Sequence, residues 1–303
     1  MCAISMKGEK VMLSMKGKER YIMTEKGKIW TETYGDDMPG TPLLVLHGGP
    51  GFKSMPQTVS ELASERPVIF YDQHGCGRSE SMLISEEYSV FNYVKELEDV
   101  IEKLGLKYLN LMGHSWGAML AAEYLIKEKP DNVRSVIFSA PLLSVPMWEE
   151  DQRKYISELS CDDQRTIEEA ELTKNFEDSR YMEVMMKYYS LHVCRLDPWP
   201  DHFVRALDDM NQDIYLSMWG PSEFTTTGTL KGADLLPLLP QISIPALLIC
   251  GEHDEASPKT VFRYRDALCR GEAAVIPDAS HCHHIEKPEI FLAVVRDFLN
   301  RCG

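Results

Sequence analysis

Gly113-His114-Ser115-Trp116-Gly117 lies between the apolar run 108–112 (YLNLM) and the alanine-rich stretch 118–125 (AMLAAEYL). The first reads as a buried strand and the second as a helix, so the pentapeptide is a strand-to-helix turn. A turn that tight strains the backbone of its central residue, and the flanking glycines let strand and helix approach with no Cβ between them. Ser115 is thereby presented as a candidate nucleophile, beside a helix start that favours nearby negative charge. A chance Gly-x-Ser-x-Gly in a loop would have neither the strand nor the helix.

A serine hydroxyl needs an imidazole to take its proton and a carboxylate to hold that imidazole in one tautomer. Working outward, the segment 244–250 (IPALLIC) reads as a buried strand, and Gly251-Glu252-His253-Asp254-Glu255 turns at its end, making Asp254 the candidate acid. A further short strand, 273–276, runs into Pro277-Asp278-Ala279-Ser280-His281, making His281 the candidate base. His253, His283 and His284 compete with it. The place of His281 directly after a strand favours it, and replacing His283 or His284 is expected to matter far less. The cluster from His281 to His284 lacks the His-x-x-x-His or Cys-x-x-Cys spacing of zinc sites, so no metal or other cofactor is implied. Upstream, His47-Gly48-Gly49-Pro50-Gly51 follows the apolar run 43–46. Attack on a carbonyl creates an alkoxide, and the backbone N–H groups of Gly49 and Trp116 are the candidate oxyanion donors.

Glycine divides the chain of 303 residues: of its 19 glycines, none falls between Ala118 and Trp219. That gap begins with the nucleophile helix and a strand at 133–138, then becomes charged and strand-poor. Segments 147–159, 164–177, 181–193 and 202–218 are expected to be helical. Their residues Met185, Met186, Tyr188, Tyr189, Trp199 and Trp219 read first as packing, with a few lining a pocket. Before the gap, 19–24 and 28–33 form an expected hairpin turned near Gly27, followed by strands near Leu43 and Val68. After it come strands near Leu247 and Ala274 and a closing helix at 288–300. The expectation is an α/β fold with a mostly parallel sheet, its core formed by 1–141 and 238–303 and a helical cap by 142–237. In 72–79, Asp72 and Arg78 read as loop braces and Cys76 as a buried thiol.

The net charge of −15 argues against nucleic acid or an anionic membrane as partner. Eight cysteines without a Cys-x-x-Cys pair, and a start, Met1-Cys2-Ala3-Ile4-Ser5-Met6-Lys7, without an apolar core, point to a reduced, cytoplasmic protein.

Taken with Tyr71-Asp72-Gln73-His74-Gly75-Cys76-Gly77-Arg78-Ser79 and Gly220-Pro221-Ser222-Glu223-Phe224, these motifs resemble the proline iminopeptidase family of α/β-hydrolases, which includes the tricorn-interacting aminopeptidases. The resemblance spans nearly the whole chain, with His114 where many members carry Gly or Ser. It implies an α/β-hydrolase fold with a cap and a serine aminopeptidase that favours an N-terminal proline. It also implies substrates that are short peptides or amino-acid amides with a free N-terminus, whose α-amino group Glu223 and Glu255 bind. Acidic side chains suit that task on physical grounds, since they fix an ammonium at a set distance from the nucleophile. An amino-acid amidase or esterase on the same site, and a non-catalytic ligand-binding homologue, remain the alternatives.

Overall fold

The computed structural model describes residues 16–82 and 88–302; the stretch Met1–Lys7 lies outside them. The strands are β1 (Lys18–Thr24), β2 (Gly27–Tyr34), β3 (Leu43–Leu46), β4 (Val68–Tyr71), β5 (Leu109–His114), β6 (Val133–Ser139), β7 (Ala246–Gly251) and β8 (Gly271–Ile276). Among the described residues they form one sheet in the order β1-β2-β4-β3-β5-β6-β7-β8. β1 and β2 make the expected hairpin, with Ile22 opposite Ile29, and β2 runs antiparallel to β4. From β4 to β8 the pairing is parallel.

Parallel strands covered on both faces read as continuous apolar runs, and here alternate residues feed two cores. Leu44, Leu46, Ile69 and Tyr71 pack with helices α1 (Val90–Leu104) and α2 (Trp116–Glu128). Their neighbours Leu43, Val45, Val68 and Phe70 face the other way, toward the closing helix Pro288–Cys302 and its residues Phe291, Val295 and Phe298. The chain passes from β3 out to β4 and returns on the far side of β3 as β5, so the carboxyl ends of β3 and β5 form a topological switch point, where open α/β sheets bind ligands.

Between β6 and β7 run α3 (Val145–Ser157), α4 (Cys161–Thr173), α5 (Ser179–His192), α6 (Asp201–Asp208) and α7 (Gln212–Met218). Ser144, Ser160 and Asp178 cap α3, α4 and α5 by accepting from backbone N–H groups in the first turn. Ile156, Ile167, Tyr181, Val184, Tyr188 and Phe224 form a core of their own within this segment. The expected single helix over 202–218 is two. Asn211 takes an extended conformation and accepts from Ile214 N–H as the N-cap of α7, while its own N–H donates to Gly51 O (2.9 Å) and its side-chain amide to Gly75 O (2.9 Å). Helix α8 (Pro258–Ala267), the single turn α9 (His283–Glu286) and α10 (Pro288–Cys302) complete the chain. No helix among the described residues is long and apolar enough to cross a membrane.

Candidate active site

β5 ends at His114 and α2 begins at Trp116, which leaves Ser115 alone at φ 55°, ψ −119°. That conformation is costly for a non-glycine residue and persists because its surroundings fix it. Ser115 N–H donates to Ser139 O (2.9 Å) and Ser115 O accepts from Ala118 N–H (2.9 Å). A Cβ on Gly113 would lie 2.1 Å from Gly117 O, and one on Gly117 would lie 2.3 Å from Leu46 O. Both glycines are therefore required for helix, elbow and neighbouring strand to meet.

Asp254 follows β7 and His281 follows β8, as their strand ends suggested, and His281 Nδ1 donates to Asp254 Oδ1 (2.9 Å). With its proton on Nδ1, the ring keeps a lone pair on Nε2, and His281 and Ser115 line one cavity. Asp254 is fully buried and also accepts from Gly251 N–H (3.0 Å) and Ala256 N–H (3.3 Å). Burial opposes its ionisation, yet His281 and His283 hold its pKa well below the ordinary carboxylate value. For His281, burial lowers the pKa but the Asp254 charge and hydrogen bond outweigh it, so the net shift is upward. Two backbone bonds join the segment around this histidine to the end of α5: His281 N–H to His192 O (3.0 Å) and Cys282 N–H to Val193 O (2.8 Å).

The rival histidines take other places. His283, fully buried, bonds Ser139 Oγ through Nε2 (3.0 Å) and sets Nδ1 3.5 Å from Asp254 Oδ2. Sequence reasoning gave it little weight, but it faces the second oxygen of the same carboxylate. His284 meets His114 edge to face (ring centroids 4.8 Å apart), and burial drives the pKa of both well down. His253 is half-buried and offers its carbonyl to His192 Nδ1 (3.0 Å).

Gly49, at φ 113°, lines the cavity beside Ser115. Its loop is fixed by contacts that sequence reasoning missed. Gln73 N–H donates to His47 Nε2 (2.9 Å), so His47 carries its proton on Nδ1 and donates to Gly48 O (2.8 Å). The Gln73 amide donates to His47 O (3.2 Å) and accepts from the Trp116 indole N–H (3.0 Å). The only sequence signal for Gln73 was its place inside Asp72-Gln73-x-Gly75. Asp72, as expected, braces that loop through Ser54 N–H (2.9 Å) and Arg78 N–H (3.0 Å), and Cys76 is buried.

Glu223 lines the cavity, its Oε1 accepting from Tyr215 OH (2.7 Å) and its N–H donating to Tyr189 OH (3.1 Å). Burial raises its pKa, partly offset by His281 and Tyr215. Glu255 is fully buried without lining the cavity, and its Oε2 stands 3.6 Å from His281 Nδ1. Neither of its carboxylate oxygens has a hydrogen-bond partner among the described residues. Burial, then the charges of Glu223 and Asp254, push its pKa well up. The cavity lined by Gly49, Ser115, Glu223 and His281 has a volume of about 480 Å³.

A nucleophile elbow, an acid and a histidine at the ends of β5, β7 and β8 of a mostly parallel sheet define a serine hydrolase of the α/β-hydrolase class, and residues 41–288 match the alpha/beta hydrolase fold family. A proline iminopeptidase of Heyndrickxia coagulans is 39% identical over 287 residues, covering 93% of this chain and 98% of that protein. The solved structure of the Mycobacterium smegmatis proline iminopeptidase superposes with a TM-score of 0.85 at 31% identity, covering 94% of this chain and 98% of that one. The structure of VinJ superposes with a TM-score of 0.90 at 29% identity, covering 94% and 99%. The chain belongs to the proline iminopeptidase family of α/β-hydrolases.

Proposed function

We propose that the protein is a serine aminopeptidase that releases an N-terminal residue, preferentially proline, from short peptides or amino-acid amides. Ser115 Oγ attacks the carbonyl of the first residue while His281 Nε2 takes the hydroxyl proton, and Asp254 stabilises the imidazolium. The N–H groups of Gly49 and Trp116 bind the resulting oxyanion. His281 then protonates the departing amine, and water enters by the same route to hydrolyse the acyl-enzyme. Glu223 and Glu255 hold the substrate's ammonium. Every step uses groups of this chain, with no metal or cofactor invoked. Residues 142–237 act as the cap over 1–141 and 238–303, and folded proteins are excluded as substrates. The cytoplasm is the proposed compartment.

The observation that carries this reading is Glu223, a carboxylate on the wall of the cavity that Ser115 and His281 also line, with Glu255 buried beside the candidate base and without a hydrogen-bond partner among the described residues. Negative charge buried without a counter-ion is costly, and an ammonium bound at Glu223 offsets it. The names of the relatives point the same way. An esterase or amidase indifferent to the amine would have no need of the carboxylates, and a binding homologue no need of the elbow. Labelling of Ser115 by a fluorophosphonate, together with a panel of amino-acid arylamides, tests all three. Prolyl arylamide should be cleaved and its N-acetyl form left almost untouched. Equal cleavage of both transfers the protein to the esterase or amidase reading, and failure of Ser115 to label transfers it to the binding reading.

A further inference from the structure

The cavity is far larger than the reacting groups require, and its chemistry is uneven. Its volume, about 480 Å³, falls in the range that takes a drug-sized ligand, whereas the aminopeptidase reading accounts only for one residue and its ammonium. One wall is a face of α5, where Met182, Met185, Met186 and Tyr189 follow one another at helical spacing. At Tyr189 this face meets Glu223, the end that holds the ammonium. Met186 lies about 4.5 Å and Met182 about 10 Å along the helix from Tyr189, at roughly 1.5 Å per residue, and each is 44% exposed, so this end opens to solvent. Across from α5 the rings of Phe52, Phe203 and Trp199 pack in series, with centroids 6.5 and 5.3 Å apart.

An exopeptidase holds the free amine at the closed end, so the remainder of the substrate must run toward the open one. What it meets there is methionine and aromatic surface. Among the described residues no Lys or Arg lines the cavity, so the terminal carboxylate of a short peptide finds no cation in it. Half-exposed methionines at a cavity mouth are not explained by core packing. Their flexible, polarisable side chains suit an apolar ligand of variable shape.

We propose that the group released from the aminoacyl unit is a bulky, uncharged, apolar amine, and that the α5 methionine face with the opposing rings is its binding site. The inference rests on the aminopeptidase reading. It is tested with prolyl n-alkylamides from methyl to octyl, set against the dipeptide prolyl-leucine and its C-terminal amide. Each methylene that enters the chamber should raise kcat/KM about two- to fourfold, mainly through KM. Prolyl-leucine amide should exceed prolyl-leucine by roughly tenfold or more, the penalty of desolvating an unpaired carboxylate. The double variant M182Q/M186Q keeps side-chain length at two partly exposed sites and should flatten the alkyl series. A series flat from methyl to octyl in the wild type, or a free dipeptide cleaved as well as its amide, overturns the proposal while leaving the aminopeptidase reading standing. No turnover of any unblocked prolyl amide overturns both.

Discussion

Replacing Glu255 by Gln separates what this carboxylate costs the free protein from what it contributes to a bound substrate. Its side chain is fully buried with neither oxygen partnered, and Glu223 and Asp254 add negative charge nearby. Its folded pKa is therefore raised well above the ordinary value of 4.5. A group raised in this way keeps its contribution to stability below the unfolded pKa and loses it as pH rises through the folded one. The wild type should lose stability across that window, while the amide of E255Q does not titrate. A buried polar group left unpaired costs about 1–3 kcal/mol, more when charged. At about 2 °C per kcal/mol for a chain of this size, the variant should melt with the wild type near pH 5 and roughly 2–6 °C above it toward pH 9. Activity should move the opposite way. Removing one partner of a desolvated charge pair costs on the order of 2–4 kcal/mol, or roughly 30- to 1000-fold in kcat/KM for prolyl arylamide. Calorimetry from acid to alkaline pH and arylamide kinetics on the same samples give both quantities. A variant less stable than wild type at every pH, or one retaining kcat/KM within about threefold, would refute the reasoning.

Ser115→Ala should lose turnover and keep its melting temperature, whereas Ser115→Gly should also be inactive but gain about 1 kcal/mol by relieving the positive φ; progress curves with thermal unfolding check both, and turnover by either removes Ser115 from its role. Because the His281 pKa is raised above its ordinary 6.5 and only the neutral ring accepts a proton, kcat/KM should fall on the acid side with its limb above that value. In Asp254→Asn that limb should move down and kcat drop by about 10³–10⁴, read from a pH–rate profile. Gln73→Leu leaves the Trp116 indole N–H and the His47 carbonyl without their shared side-chain partner and should lower kcat roughly tenfold or more, with a prolyl arylamide KM close to wild type. His283→Ala should cost kcat more than His284→Ala, since His283 alone of the two faces Asp254; the reverse order would exclude it as a positioning residue for the acid.

The elbow, the sheet and the loops bearing Asp254 and His281 were legible because each is a local pattern, an apolar run ending in a turn. Gly113 and Gly117 could be understood from sequence as close-approach positions, and the structure supplies the atoms they approach. The helix break at 209–211 was not legible, because periodicity continues across it and the interruption comes from Asn211 bonding to Gly51 and Gly75, residues far away in the chain. The bridge through Gln73 and the approach of His283 to Asp254 were hidden for the same reason. Both depend on which side chains meet across strands, and neither leaves a spacing to read. The burial of Glu255 was likewise invisible, since a charged residue in a turn reads by default as solvated.

The backbone bonds from His281 and Cys282 to the carbonyls of His192 and Val193, with those of Asn211 to the glycine loops, have a consequence for anyone recombining these proteins. The helical segment cannot be exchanged between relatives as a self-contained module. A chimera that imports a foreign segment must also end one helix where its last two carbonyls meet these N–H groups, and start another with an asparagine. Without them the transplant would leave the histidine's loop unsupported, and the recombined protein would carry every residue of the reaction yet lack the scaffold that aims its base.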